Sequence, residues 1–168
     1  LMSGGVSAIP TEGVWGLSCR VGSLAAIGRI LQIKQRGPTK GLITLVTEFD
    51  DLAHWYACPI LEEADEESGR PSTWIIPVNL QCPTLLTGGR QSLAVRRVTM
   101  PALVRLIALT GPLVSTSANR SGRAACLTRW QVMNQLAHLV DHVARGRTQG
   151  YLKPSTIRDM QTGTIIRD

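Results

Sequence analysis

The sequence predicts an α+β (mixed α/β) fold whose sheet contains both parallel and antiparallel strand pairs. Strand-like apolar runs and helix-like runs are interleaved along the whole chain. Two late segments, Ser155–Met160 and Thr164–Arg167, flank the turn residues Gln161–Gly163 and predict a hairpin, which a purely parallel sheet does not contain. With 168 residues, of which 43% are hydrophobic, the chain can bury one core, and we expect one domain over residues 1–168.

The first half of the chain starts with a strand and continues with alternating elements. In order, we expect a strand Val6–Pro10, a loop Thr11–Leu17, a helix capped by Ser23 and ending near Lys34, a strand Leu42–Thr47, two short helices Asp50–Ala57 and Pro59–Glu67, and a strand Thr73–Val78. Gly37-Pro38 stops the first helix, because proline cannot continue it.

The second half continues the alternation. In order, we expect a turn region Pro83–Gly89, a strand Ser92–Val98, a helix Pro101–Leu109, a short strand at Leu113-Val114 and a helix Thr128–Ala137, followed by Leu139–Ala144, whose periodicity fits either a helix or a strand. Since strand side chains alternate, Arg96 and Arg97 must point to opposite faces, and at most one of them enters a given pocket.

The charge distribution favours an anionic ligand. Five of the 12 acidic residues lie within Leu61–Glu67, so the rest of the chain has 18 basic residues and only seven acidic ones. Only three of the basic residues are lysines, and two of them, Lys34 and Lys40, flank Arg36 at the end of the first helix. Arginine suits bidentate binding of phosphates and carboxylates, so nucleotides and nucleic acid are the partners to consider. A basic surface that only keeps the protein in solution is the alternative.

The familiar catalytic motifs are absent. The sequence has no P-loop, no Rossmann fingerprint and no G-x-S-x-G elbow. His138 and His142 have the spacing of two metal ligands on a helix, but no glutamate completes a zinc motif, and we predict no metal site. Without a nucleophile or an acid–base pair, catalysis would depend on positioning and charge stabilisation, as in phosphoryl or nucleotidyl transfer.

The location of the protein is predicted from its cysteines and apolar runs. The four cysteines lie far apart without a C-x-x-C pair, which favours reduced thiols in a cytosol. No apolar run is long enough to span a membrane, and no signal-peptide pattern opens the chain. We therefore expect a cytoplasmic protein without a membrane partner.

The stretch Leu113–Gly122 combines a short apolar strand with a loop rich in hydroxyl and amide groups. Such a loop can bind an anionic or amino-acid ligand at close range, because its side chains are small. It can equally be a turn that bonds only its own backbone.

Five blocks of sequence, in order and at compatible spacing, resemble the YrdC/TsaC family of threonylcarbamoyl-AMP synthases. They are Pro10-Thr11-Glu12 with Gly16-Leu17, Lys34-Gln35-Arg36 with Lys40-Gly41-Leu42, Leu93-Ala94-Val95-Arg96, Ser115–Gly122, and Pro154–Asp159. The short, single-domain TsaC type is the most similar. The resemblance implies a three-layer, YrdC-like fold around a twisted mixed sheet with a deep basic concave face.

The family's activity is the formation of L-threonylcarbamoyladenylate and pyrophosphate from L-threonine, bicarbonate and ATP. The resemblance therefore implies a nucleotidyltransferase with ATP, carried with Mg²⁺, and with bicarbonate and L-threonine as co-substrates. It also implies tRNA and the tRNA-threonylcarbamoyl transferase complex as partners, because the product modifies tRNA.

The resemblance also assigns residues to roles. The expected catalytic residues, which also bind ATP, are Lys34, Arg36, Ser117 and Asn119. Ser155 and Arg167 are expected to complete the ATP site, and the expected threonine-binding residues are Thr11, Lys40, Arg96, Ser115 and Thr156. The family's motif R-P-x-x-K/H corresponds to Arg36–Lys40 in this sequence, where the proline is displaced by one position.

An alternative hypothesis assigns the chain to a class of proteins other than enzymes. A non-catalytic RNA-binding module could use the same basic concave face. It would explain the charge, but not the loop of small hydroxyl side chains, and the four tryptophans are not interleaved with basic residues as a stacking surface requires. Threonine-dependent release of pyrophosphate from ATP distinguishes the enzyme from the RNA-binding module.

Overall fold

A computed structural model describes residues 1, 3–60, 71–151 and 155–167. Its strands are β1 (Ser7–Pro10), β2 (Trp15–Arg20), β3 (Ile43–Val46), β4 (Ser72–Pro77), β5 (Ser92–Arg97), β6 (Leu113–Ser117), β7 (His142–Val143), β8 (Thr156–Asp159) and β9 (Ile165–Arg167). Its helices are α1 (Leu24–Lys34), α2 (Thr84–Thr87), α3 (Pro101–Thr110) and α4 (Arg129–Leu136), with 3₁₀ helices at Phe49–Trp55 and Ala137–Leu139.

The described strands form one mixed sheet in the order β7-β1-β2-β6-β3-β5-β4-β8-β9. The pairs β1–β7, β3–β5 and β4–β8 are parallel, and the other neighbours are antiparallel. The hairpin β8–β9 lies at one edge, as predicted. The mixed sheet expected from the interleaved elements is confirmed.

Each face of the sheet packs against helices, which gives three layers. On one face, side chains such as Trp15, Leu17 and Val114 pack against α1 and α4 in the larger hydrophobic cluster. On the other face, a smaller cluster joins Leu45 and Leu113 to α3. Because α3 covers only part of this second face, the rest of it is available for a site.

The predicted helices and strands are largely found, and the loop predicted over Thr11–Leu17 is the main error. Trp15–Arg20 is a central strand, in which Trp15 and Leu17 are fully buried. The alternate residues, Gly16 and Ser18, are small rather than large and polar, so the period of two is hard to see in the sequence.

Smaller differences occur in the connecting segments. Asp50–Ala57, expected as a helix, is a kinked 3₁₀ helix at Phe49–Trp55. The Pro83–Gly89 region, expected as a turn, contains the single helical turn α2. Leu139–Ala144 holds the end of a 3₁₀ helix and the strand β7. The helix expected at Pro59–Glu67 lies, beyond residue 60, outside the described residues.

In the part of the chain that the structure describes, none of the helices combines the length and the apolar character needed to cross a membrane.

Candidate active site

The site is a cavity of about 870 Å³ on the face of the sheet that α3 leaves uncovered. Its floor consists of small or apolar residues from neighbouring strands, among them Gly16, Ile43, Ile75, Ser92, Ala94, Ser115, Ser117 and Ile157. The register brings them together, since Gly16 pairs with Ser117 and Ile43 pairs with Ser115. The small side chains leave room for a ligand where a packed face would carry leucine or valine.

Gly16 is required by the close approach of Ser115. A Cβ atom on Gly16 would lie 2.6 Å from the Ser115 Oγ, well inside contact distance. The glycine therefore allows the Ser115 hydroxyl to occupy the cavity floor. Ser115 itself is buried, with 5% exposure.

The rim and walls carry five basic side chains and, among the described lining residues, no acidic one. The basic residues are Arg36, Lys40, Arg90, Arg96 and Arg167. Such a concentration of guanidinium and ammonium groups favours a ligand with several negative charges.

Arg36 reaches the cavity because of the way α1 ends. Gln35, the residue after the helix, adopts the left-handed conformation (φ 51°, ψ 47°) and turns the chain. The Arg36 guanidinium then donates to the backbone carbonyls of Lys40 and Gly41, the latter at 2.8 Å. These bonds hold Arg36 at the cavity wall and fold the Gly37–Lys40 turn back, so that Lys40 also lines the cavity. Burial and the nearby Arg90 lower the pKa of Arg36.

Lys34 lies behind the cavity wall and binds both the last residue of β6 and the loop that follows it. Its Nζ is 2.6 Å from the Ser117 carbonyl oxygen, 2.6 Å from Asn119 Oδ1 and 3.1 Å from the Asn119 carbonyl oxygen. The Ser117 hydroxyl donates to the same Oδ1 at 2.7 Å. Lys34 is only 3% exposed, and burial, with a smaller effect of Arg36, lowers its pKa to about 8. Its carbonyl also accepts from the Ser121 N–H, so α1 and this loop are joined at two points.

Arg96 and Arg97 lie on opposite sides of β5, as strand geometry requires. Arg96 lines the cavity, and its Nη2 lies 3.1 Å from Oε2 of the buried Glu12. Arg97 has a carboxylate neighbour too, Glu48 at 3.9 Å, but that glutamate is 71% exposed.

The remaining predicted residues are divided between the cavity and the core. Thr11 lines the cavity, while its hydroxyl donates to the Val14 carbonyl at 2.7 Å. Ser155 and Arg167 line the opposite wall, where Arg167 donates to the Ser155 carbonyl at 3.2 Å. Thr156 is buried and faces the other side of β8 from the cavity-lining Ile157.

The structure thus brings most of the sequence-predicted residues to one cavity. Arg36, Lys40, Ser115 and Ser117 line it with Thr11, Arg96, Ser155 and Arg167, whereas Lys34 and Asn119 support its wall from behind. Two residues were not predicted as site residues: Arg90, which lines the cavity, and Glu12, which is paired with Arg96. The Gly88-Gly89-Arg90 turn carried a weak phosphate-binding signal in the sequence, but Glu12 gave no sign of its contact with Arg96.

The described residues contain no cluster of three or more histidine, cysteine or carboxylate side chains that could hold a metal ion. His142 lies in β7 and His138 in the preceding 3₁₀ helix, so the two do not share the helix that a paired metal site would need. The described cysteines are unpaired thiols.

An arginine-lined cavity on the open part of a three-layer mixed sheet places the chain in a class of proteins suited to a polyanionic ligand. The Sua5/YciO/YrdC family model, described as "Telomere recombination", matches residues 1–168. The chain belongs to this family. That assignment confirms the resemblance found in the sequence.

Two proteins that are similar to nearly the full length of this chain have the same name. The threonylcarbamoyl-AMP synthase of Xanthomonas euvesicatoria pv. vesicatoria (strain 85-10) is 40% identical over 174 residues, which cover 100% of this chain and 93% of that protein. The threonylcarbamoyl-AMP synthase of Stutzerimonas stutzeri (strain A1501) is 40% identical over 168 residues, covering 98% of this chain and 91% of that one.

A solved structure supports the same relationship. The crystal structure of P. abyssi Sua5 complexed with L-threonine superposes with a TM-score of 0.84 and 28% identity, covering 98% of this chain. This chain spans about half of that one, 49%.

Proposed function

We propose that this chain is a threonylcarbamoyl-AMP synthase, an enzyme that joins L-threonine, bicarbonate and ATP into L-threonylcarbamoyladenylate and releases pyrophosphate. The observation that carries the proposal is the division of charge within one cavity. Arg36, Lys40 and Arg90 lie together without an acidic partner among the lining residues, whereas Arg96 is neutralised by Glu12. A polyphosphate suits the first region, and an amino acid suits the second.

The chemistry needs no strong base from the protein. The amine of threonine takes up the carbon of bicarbonate, with loss of water, and gives an N-carboxylate. An oxygen of this carboxylate attacks the α-phosphorus of ATP, and the bond from that phosphorus to the oxygen that bridges the α- and β-phosphates breaks, so that this oxygen leaves with pyrophosphate. Because the nucleophile is already anionic, the site has to orient two substrates and stabilise phosphate charge.

Arg36 and Lys40 would stabilise the charge on the phosphates, and Arg96 would bind the threonine carboxylate in a bidentate manner. Ser115 and Thr11 would contact the rest of the amino acid, and Ser155 and Arg167 would border the nucleotide from β8 and β9. Lys34 and Asn119 would act mainly by fixing the end of β6, which presents the Ser117 hydroxyl, since they lie behind it.

Magnesium would enter as the counter-ion of ATP. The described lining residues contain no carboxylate, so the donor set suits a cation held by phosphate oxygens and water rather than by the protein.

The product would be used on tRNA, together with the tRNA-threonylcarbamoyl transferase complex, and the reaction would take place in the cytosol. The unpaired thiols among the described residues are consistent with a reducing compartment.

The rival, an RNA-binding module without chemistry, is not favoured. It gives no reason for the buried Lys34–Asn119 unit or for the hydroxyl groups on the cavity floor. The test is the release of pyrophosphate from ATP with threonine and bicarbonate added singly and together. We expect release only with both, and severe loss in Ser117→Ala. Release that ignores threonine, or salt-sensitive RNA binding as the sole activity, would contradict the proposal.

A further inference from the structure

Glu12 is a buried carboxylate that faces a single cation of the site. Its side chain is 2% exposed, and its Oε2 lies 3.1 Å from Nη2 of Arg96, whose side chain is 11% exposed. Among the described residues, neither carboxylate oxygen of Glu12 has a hydrogen-bond partner, and Nε of Arg96 has none either, so the contact between the two side chains is an ion pair. Burying a charge costs free energy unless it is paired, so each of these two groups makes the burial of the other possible.

The backbone holds Glu12 at this position from two sides. Thr11 closes the turn between β1 and β2, because both its N–H and its hydroxyl donate to the Val14 carbonyl. The Glu12 carbonyl accepts the N–H groups of Gln149 and Tyr151, at 3.0 and 3.4 Å. The turn is therefore fixed between the sheet and the segment that precedes β8, and Glu12 has little freedom to withdraw from Arg96.

The pair leaves Arg96 available to a ligand. An arginine has five N–H donors, and Glu12 takes up only one side of the guanidinium. Arg96 lines the cavity and Glu12 does not, so the carboxylate lies behind the arginine as seen from the ligand.

We propose that Glu12 is a positioning residue for the amino-acid substrate, acting through Arg96. It fixes the direction of the guanidinium and reduces its attraction for phosphate, so that the amino-acid carboxylate binds there rather than the polyphosphate of ATP. This inference depends on the proposed function, because it names how that function's amino-acid substrate is held.

The test combines direct binding with kinetics in the intact chain. Binding of L-threonine is measured by calorimetry for the wild type, Glu12→Gln, Glu12→Asp, Arg96→Lys and Glu12→Gln/Arg96→Lys. The same proteins are assayed for pyrophosphate release, with KM determined separately for threonine and for ATP. Glu48→Gln is the matched control, because it removes the exposed carboxylate beside Arg97 on the other face of β5.

In Glu12→Gln we expect threonine affinity to fall by about 10-fold or more, as when a buried charge partner is removed. The KM for ATP should change by less than about 2-fold. Inorganic pyrophosphate should compete more strongly with threonine for binding. Glu12→Asp, which keeps the charge on a shorter side chain, should bind threonine more tightly than Glu12→Gln and less tightly than the wild type. If Glu12→Gln fails to fold, the comparison of Glu12→Asp with the wild type is the test. Glu48→Gln should behave as the wild type.

The double variant decides whether Glu12 acts through Arg96. If it does, Glu12→Gln adds little to the loss already caused by Arg96→Lys. Full additivity of the two losses, or threonine binding within about 2-fold of the wild type in Glu12→Gln, would overturn the inference while leaving the proposed function intact. A wild-type chain that binds no threonine would overturn both.

Discussion

The Nζ of Lys34 lies 2.6 Å from Oδ1 of Asn119, and the two residues come from elements 85 positions apart in the chain. Lys34 ends α1, and Asn119 belongs to the loop after β6. The same Oδ1 accepts the Ser117 hydroxyl at 2.7 Å. One buried ammonium group thus joins the end of β6, where Ser117 faces the cavity, to the loop that follows it.

Replacing Lys34 by methionine should abolish most of the activity. Methionine has a similar length but donates no hydrogen bond, so the carbonyls of Ser117 and Asn119 would lose their common partner. We expect a decrease of about 100-fold or more in kcat/KM for ATP, as for the loss of a preorganised polar group. The matched control is Gln32→Met, an exposed position on the same helix, where pyrophosphate release should be unchanged. A Lys34→Met enzyme with near-normal kinetics would contradict this role.

The pKa of the Lys34 amine should lie well below that of an ordinary lysine. Burial lowers its pKa to about 8 from 10.5. Below pH 8 both folded and unfolded chains carry the proton. Between pH 8 and pH 10.5 the amine of Lys34 is deprotonated in the folded chain and still protonated in the unfolded chain. The contribution of Lys34 to the free energy of unfolding therefore rises with pH between these two pKa values. Activity should fall over the same range, because a neutral amine has one donor fewer for the loop.

Carbon-13 labelling of lysine allows a direct measurement, since the chain has only three lysines. We expect one Cε resonance, absent in Lys34→Met, to titrate near pH 8. A midpoint near that of a free lysine would disagree with the buried, hydrogen-bonded position.

Gly16→Ala should destabilise the protein and distort the cavity floor. The new Cβ would lie 2.6 Å from the Ser115 Oγ, and overpacking of this kind costs about 1–3 kcal/mol. Removing the hydroxyl in Gly16→Ala/Ser115→Ala should restore much of the free energy of unfolding, although not the threonine affinity. Gly28→Ala is the control, because nothing lies within 4 Å of its added Cβ and alanine is the better helix former. Urea unfolding of the four proteins measures the difference. If the double variant does not recover the free energy of unfolding, the unfavourable contact of the new Cβ is not with the Ser115 hydroxyl.

Arg90→Ala should weaken ATP binding selectively. Arg90 lines the cavity near Arg36 and is exposed, so its effect is screened by salt. We expect the KM for ATP to rise by about 3- to 10-fold at low ionic strength, corresponding to about 0.7–1.4 kcal/mol, and by less at high salt. Threonine binding should be unaffected. Arg105→Ala on α3, away from the cavity, is the control; equal effects on both substrates would argue against a phosphate contact.

Most residues that the sequence assigned to the candidate site lie at or behind one cavity, whereas one strand of the sheet was not predicted. Lys34, Arg36, Ser115 and Ser117 could be identified because they stand in short blocks with fixed spacing. Strand β2 was missed because its alternate residues, Gly16 and Ser18, are small, which weakens the alternating pattern; Gly16 also lines the cavity, where its small size leaves room for Ser115. Glu12 could not be found, since its contact with Arg96 depends on the pairing of strands far apart in the sequence.

The register of the parallel strands has a consequence for synthesis of the chain. Ser7 pairs with His142 and Ser72 with Thr156, and the cavity walls extend from Thr11 to Arg167. Contacts this distant form late and slowly. We therefore expect the cavity to form on the ribosome only after β8 and β9 have emerged, because Ser155, Ile157 and Arg167 form one of its walls.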